Sequence, residues 1–139
     1  MSQPNILFFF PDQHRGDWLA SNPALPLRTP NLDGLSARGV TFSRAYCTSP
    51  LCAPSRASLA AGKSYDRCRV PDNGIDYPLD QPTYYQALRE AGYRVAGVGK
   101  FDLHKNTSDP TRLNLNLDGS RSLEEWGFTE GIDNEGKFD

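Results

Sequence analysis

Short apolar runs alternate along this chain with polar stretches punctuated by glycine and proline, and that rhythm predicts its elements. Asn5-Ile6-Leu7-Phe8-Phe9-Phe10 is almost wholly apolar and is closed by Pro11. So short a run, rich in strand formers, predicts a buried parallel strand covered on both faces. Between Thr29 and Gly39 a Thr cap, Pro30 at the first position and a terminal glycine predict a helix, with Leu32 and Leu35 facing a core. Val40 to Tyr46 alternates in the manner of a strand. Pro54 has a preset φ and no amide proton, which suits the first turn of a helix continuing from Ser55 through Ala61. Pro82 opens a further helix, Gly92 suits its left-handed end, and Val95 to Val98 predicts a second parallel strand. The class is α/β.

Candidate chemistry gathers where these elements begin and end. Cys52-Ala53-Pro54-Ser55-Arg56 places a thiol at a helix start, where free backbone N–H groups and the positive end of the helix dipole meet an anion. Arg56 returns to the same side one turn later. A cysteine near a helix start is also a common small buried hydrophobe. A thiolate phosphatase fits poorly, since only three residues separate Cys52 from Arg56 and such enzymes use a longer loop of amides around phosphate. Asp12 and Gln13 follow the first predicted strand at its carboxyl end, where open α/β sheets place ligands. Lys100 follows the second in the same way and offers a point charge for an anionic oxygen. Gly97-Val98-Gly99-Lys100 lacks the earlier glycine and the following Ser or Thr of a nucleotide phosphate loop, so its glycines predict close backbone approach instead.

Four stretches together resemble the type I sulfatases of the alkaline phosphatase superfamily: Asp12-Gln13 after the first strand, Thr29-Pro30-Asn31-Leu32-Asp33, Cys52-Ala53-Pro54-Ser55-Arg56, and the run from Leu88 to Lys100. The match is best over residues 4–104, with 105–125 as a loop or insertion, and residues 1–139 together resemble the N-terminal portion of a sulfatase catalytic domain. The resemblance implies an incomplete, mostly parallel sheet flanked by helices. It implies a sulfuric ester hydrolase in which Cys52 is oxidised by a formylglycine-generating enzyme and the hydrated aldehyde attacks sulfur. Asp12, Gln13 and the modified Cys52 would bind a divalent metal, Ca²⁺ first, with Mg²⁺ or Mn²⁺ as alternatives. Arg56 and Lys100 would hold the sulfate charge.

The chain also departs from the pattern. Phe101-Asp102 stands where the family has Trp-His, and Ala60-Ala61-Gly62-Lys63 stands for Leu-Thr-Gly-Arg. In an extended stretch, residues 100, 102 and 104 share a face, so His104 or Asp102 becomes the candidate proton-transfer group, with His104 and Lys100 also touching substrate. His14, Arg15 and Asp17 share the loop after the first strand and have no assigned part. Trp126-Gly127-Phe128 with Gly131 resembles a later family element. The family's remaining ligands lie beyond its N-terminal part, so the 139 residues alone are expected to be inactive. Two alternatives stand beside sulfate hydrolysis. One is a phosphonate monoester or phosphodiester hydrolase of the same superfamily, because Gln13 lowers the charge of the site. The other is a noncatalytic fragment that binds an anion or a partner chain.

Composition narrows the partners. A net charge of −2 argues against nucleic acid. No apolar run approaches the roughly 20 residues that span a bilayer. The start of the chain lacks the pattern of a signal peptide, which predicts a cytoplasmic location. Three cysteines cannot all pair within one chain, which suits a reducing compartment. The small-molecule partner that the sulfatase resemblance implies is a sulfate ester.

Overall fold

The computed structural model describes residues 3–103 and 123–133. The chain forms two compact units, Met1–Ala45 and Tyr46–Asp139.

The first unit carries one helix, α1 (Pro30–Arg38), flanked by Thr29 and Gly39 as the sequence predicts. Thr29 does not cap α1 with its hydroxyl. Its Oγ1 accepts the Ala20 amide at 2.9 Å and donates to Asp33 Oδ1 at 3.0 Å, which staples the preceding loop to the first turn. Gly39 is extended rather than left-handed. None of the described residues 3–45 is buried. Leu32 and Leu35, expected to face a core, are exposed. The predicted strands over 5–10 and 40–46 do not form, and Leu7 is 92% exposed. A continuously apolar strand is stable only with neighbours on both edges and cover on both faces, and the described residues of this unit supply no second strand. Phe8 and Phe10 instead stack on each other, ring centres 5.5 Å apart.

The second unit has a buried core of Ala53, Ala57, Ala60, Cys68, Val70, Tyr77, Val95, Leu103, Leu123, Trp126 and Phe128. Helix α2 (Cys52–Ala61) gives this core three alanines at positions 53, 57 and 60, one stripe at helical spacing. It ends at Gly62, which takes φ +61°, and the Gly62 and Lys63 amides return to the carbonyls of Leu59 and Ser58. That left-handed close is the reason for glycine here.

Helix α3 (Tyr84–Glu90) starts from a reciprocal cap: Gln86 N–H donates to Thr83 Oγ1 at 3.2 Å and Thr83 N–H donates to Gln86 Oε1 at 3.0 Å. Pro82 therefore precedes the cap and is not the first helical residue. The same two side chains also donate outward, Thr83 Oγ1 to the Trp126 carbonyl and Gln86 Nε2 to the Glu125 carbonyl at 2.9 Å. They fasten the short turn at Glu124–Trp126 to the helix. Gly127, at φ +107°, lies so close that a Cβ there would strike the Gln86 backbone.

Strand β1 (Ala96–Gly99) begins one residue later than predicted and pairs in parallel with β2 (Glu130–Asp133), with Gly97 opposite Gly131 and Val98 opposite Ile132. A Cβ on Gly97 would come within 2.5 Å of Phe101 Cζ and 2.6 Å of Phe128 Cε1. Gly97 thus serves close packing, as expected from the sequence, whereas Gly99 is needed for its φ of +119°. Among the described residues these two strands form the sheet.

Candidate functional site

Helix α2 sets the geometry of the site. Its first residue is Cys52, so the thiol stands at the amide-rich end, and its exposure is intermediate. Arg56 follows one turn later and is buried. The flanking residue Leu51 has no side chain able to satisfy the first amides. Asn73 supplies that function from a distance: its Oδ1 accepts the Ala53 amide at 3.0 Å. A polar residue 20 positions downstream thus orders the turn that carries Cys52, and sequence spacing gave no signal of it.

Arg56 Nη1 donates to the Lys100 carbonyl, which joins α2 to the carboxyl end of β1. The structure therefore brings Arg56 and Lys100 together, as expected, though through the main chain of Lys100. The Lys100 ammonium turns to Asp102, with Nζ 3.5 Å from Oδ2. Asp102 is 2% exposed and takes φ +57°, so the backbone after Lys100 is folded rather than extended. The expected common face for residues 100, 102 and 104 fails at this point. Gly99, at φ +119°, and Asp102 both depart from strand geometry because the chain turns inward to bury Leu103, whose carbonyl accepts the Tyr77 amide at 2.8 Å. His104 lies outside the described residues.

Around this centre the remaining polar groups are structural. Gln81 is buried, donates to the Cys68 carbonyl at 2.9 Å and accepts from Lys63 Nζ at 3.2 Å. No disulfide joins Cys47, Cys52 and Cys68, and the Cys68 thiol is buried beside the Tyr65 carbonyl at 3.1 Å. Burial pushes the Tyr77 phenol up to about 12 and carries Tyr85 above its ordinary value as well. Tyr77 meanwhile donates to the Pro82 carbonyl at 2.8 Å.

Asp12 and Gln13 lie in the first unit, on a turn where Gln13 takes φ +53°. Both are exposed. Beside them Arg15 and Asp17 satisfy each other through two hydrogen bonds of 2.9 and 2.7 Å, and the Arg15 hydrogen bond holds the Asp17 carboxyl below the usual range. His14 is exposed on the same loop. Among the described residues no three His, Cys, Asp or Glu side chains converge as a metal-binding group. Two adjacent oxygen donors on one turn do not fit the six or more oxygens of a Ca²⁺ shell by themselves.

A half-buried cysteine at a helix start, an arginine one turn on and a lysine at a parallel strand's end stand together in an α/β protein. Comparison with known proteins gives the family. A model of the sulfatase family matches residues 4–137, and the chain belongs to that family. It is 46% identical over 98 residues to the choline-sulfatase of Rhizobium meliloti, covering 70% of this chain and 19% of that protein. It is 36% identical over 108 residues to arylsulfatase A of Bos taurus, covering 73% and 21%. The crystal structure of the sulfatase candidate yidJ from Bacteroides fragilis superposes with a TM-score of 0.65 at 25% identity, over 76% of this chain and 25% of that one. The chain spans about a fifth of the length of the relatives it matches.

Proposed function

We propose that this chain supplies the nucleophile and part of the anion site of a sulfatase acting on a small sulfate ester, with Cys52 converted to formylglycine. The observation that carries this reading is the link from the Cys52 helix through Arg56 to Lys100. When present, the formylglycine supplies a hydrated aldehyde oxygen for attack at sulfur. The chain's own residues prepare for it. The α2 amides and dipole favour negative charge at position 52. Arg56 brings a fixed positive charge to the start of α2 and ties that helix to the Lys100 main chain. Lys100 neutralises a non-bridging sulfate oxygen as a point charge. His104 is proposed to carry the proton to the departing alcohol oxygen, so that the S–O ester bond breaks with the alcohol released neutral.

Asp12 and Gln13 are proposed to give two oxygens to a divalent cation, Ca²⁺ first with Mg²⁺ or Mn²⁺ behind it, the rest of the shell coming from outside the described residues. A formylglycine-generating enzyme is the implied partner, and a cytoplasmic location goes with this reading.

The test is peptide mass spectrometry of the Cys52 peptide, after expression in a host that makes formylglycine, together with turnover of aryl sulfate and aryl phosphonate esters by the complete protein carrying this sequence. An aldehyde at position 52 with preference for the sulfate ester is expected. An unmodified thiol without turnover overturns the reading, and preference for the phosphonate replaces the substrate class.

A further inference from the structure

Lys100 is gripped at both of its ends. Its carbonyl accepts from Arg56 on α2, and its ammonium lies 3.5 Å from the Asp102 carboxylate, whose side chain has no exposed surface. The Lys100 side chain itself is 21% exposed. In an extended strand, residues two apart stand roughly 6.6 Å from each other along the chain. The left-handed φ of Asp102 folds its carboxylate back towards the lysine. Outside glycine that conformation is sparsely populated, and Asp is among the few side chains that tolerate it. A buried carboxylate is costly to hold without an opposite charge, and Lys100 supplies that charge. The ion pair holds the Lys100 charge at a fixed place beside the start of α2, with part of its side chain open to solvent.

We propose that Asp102 is a positioning residue, which together with the Arg56 hold on the Lys100 main chain fixes the ammonium in place for an incoming sulfate group. This rests on the anion-site reading of the preceding section. It gives Asp102 a part distinct from proton transfer, because its carboxylate is turned to Lys100 and closed to solvent. The effect on substrate passes entirely through Lys100.

That dependence makes a double-mutant cycle decisive. Lys100→Met, Asp102→Asn and the pair would be made in the complete protein, with binding of inorganic sulfate read by calorimetry and kcat and KM for an aryl sulfate read alongside. Asp102→Asn is expected to weaken sulfate about ten-fold, within the coupling range of residues in direct contact, and to act on KM more than on kcat. Added to Lys100→Met it should cost nothing further. Equal cost in both backgrounds, or no cost in the parent, overturns the proposal, since a purely structural Asp102 would act without regard to the lysine.

Asp102→Gly, which accepts the same φ, is read in the same cycle should the Asn variant fail to fold. Coupled sulfate binding in a protein that turns over no ester keeps the proposal and removes the sulfatase reading. Ester turnover with additive variants does the reverse. A parent that binds no sulfate overturns the proposal outright.

Discussion

Tyr77 shows how much of the second unit's chemistry is set by single buried groups. Its phenol donates to the Pro82 carbonyl, a bond that only the neutral form can make, and burial pushes its pKa up to about 12. The unfolded value is about 10, so the folded state binds the proton more tightly. Stability from this group is therefore complete below pH ~10 and is lost as pH rises through about 12. Thermal melts of the complete protein and its Tyr77→Phe variant at pH 9 and pH 11.5 check the sign: the parent should lose more on alkalinisation than the variant. At this scale the sequence was partly legible. Gly92 announced its left-handed turn because only glycine takes φ +88° cheaply, whereas the φ +61° of Gly62 emerged from the structure. Asp102 announced itself only as a departure from a family pattern. Its φ of +57° follows from the burial of Leu103, a tertiary demand with no local signal.

The helices of the second unit were legible to within a residue or two because caps, proline and glycine act locally. Of the two strands, β1 was legible to within one residue and β2 was not. Glu130-Gly131-Ile132-Asp133 has one apolar residue and no alternation to read, yet it becomes β2 because β1 lies beside it. The run at 5–10 has every local mark of a strand and forms none. Pairing is a property of neighbours, which a period in the sequence does not carry. The cap of α2 is non-local in the same sense, reaching Ala53 from Asn73. Replacing Asn73 with Ala should therefore destabilise the complete protein by about 1 kcal/mol in urea denaturation, the usual cost of a lost cap. Asn73→Asp, which keeps the acceptor, should recover most of it. An equal loss in both variants would assign Asn73 some other part.

For the molecule as a whole, the uneven distribution of apolar surface is the main result. The second unit buries its aromatic cluster, with the Tyr85 and Phe128 ring centres 4.3 Å apart and those of Phe101 and Phe128 4.8 Å apart. Leu7, Phe9, Val40, Phe42 and Tyr46, in contrast, are mostly exposed. Exposed apolar groups in such number make a surface prone to association. The isolated 139-residue chain should accordingly bind a hydrophobic dye strongly and self-associate in sedimentation, and a monomeric, dye-free chain would refute this. Family membership was legible across the whole length because its signature residues sit at element ends, where chemistry and punctuation coincide. Spatial assembly of the proposed metal ligands was not, since Asp12 and Cys52 belong to separate compact units. The sheet, finally, stores its alignment outside itself. Gly97 opposite Gly131 gives the two strands no side chains there by which one register differs from the next. Their setting is written just upstream, where the Val95 carbonyl takes both the amide and the hydroxyl of Thr129 at 2.8 Å. Thr129 is thus the address label of β2, and a change there would misfile a strand whose own letters were left intact.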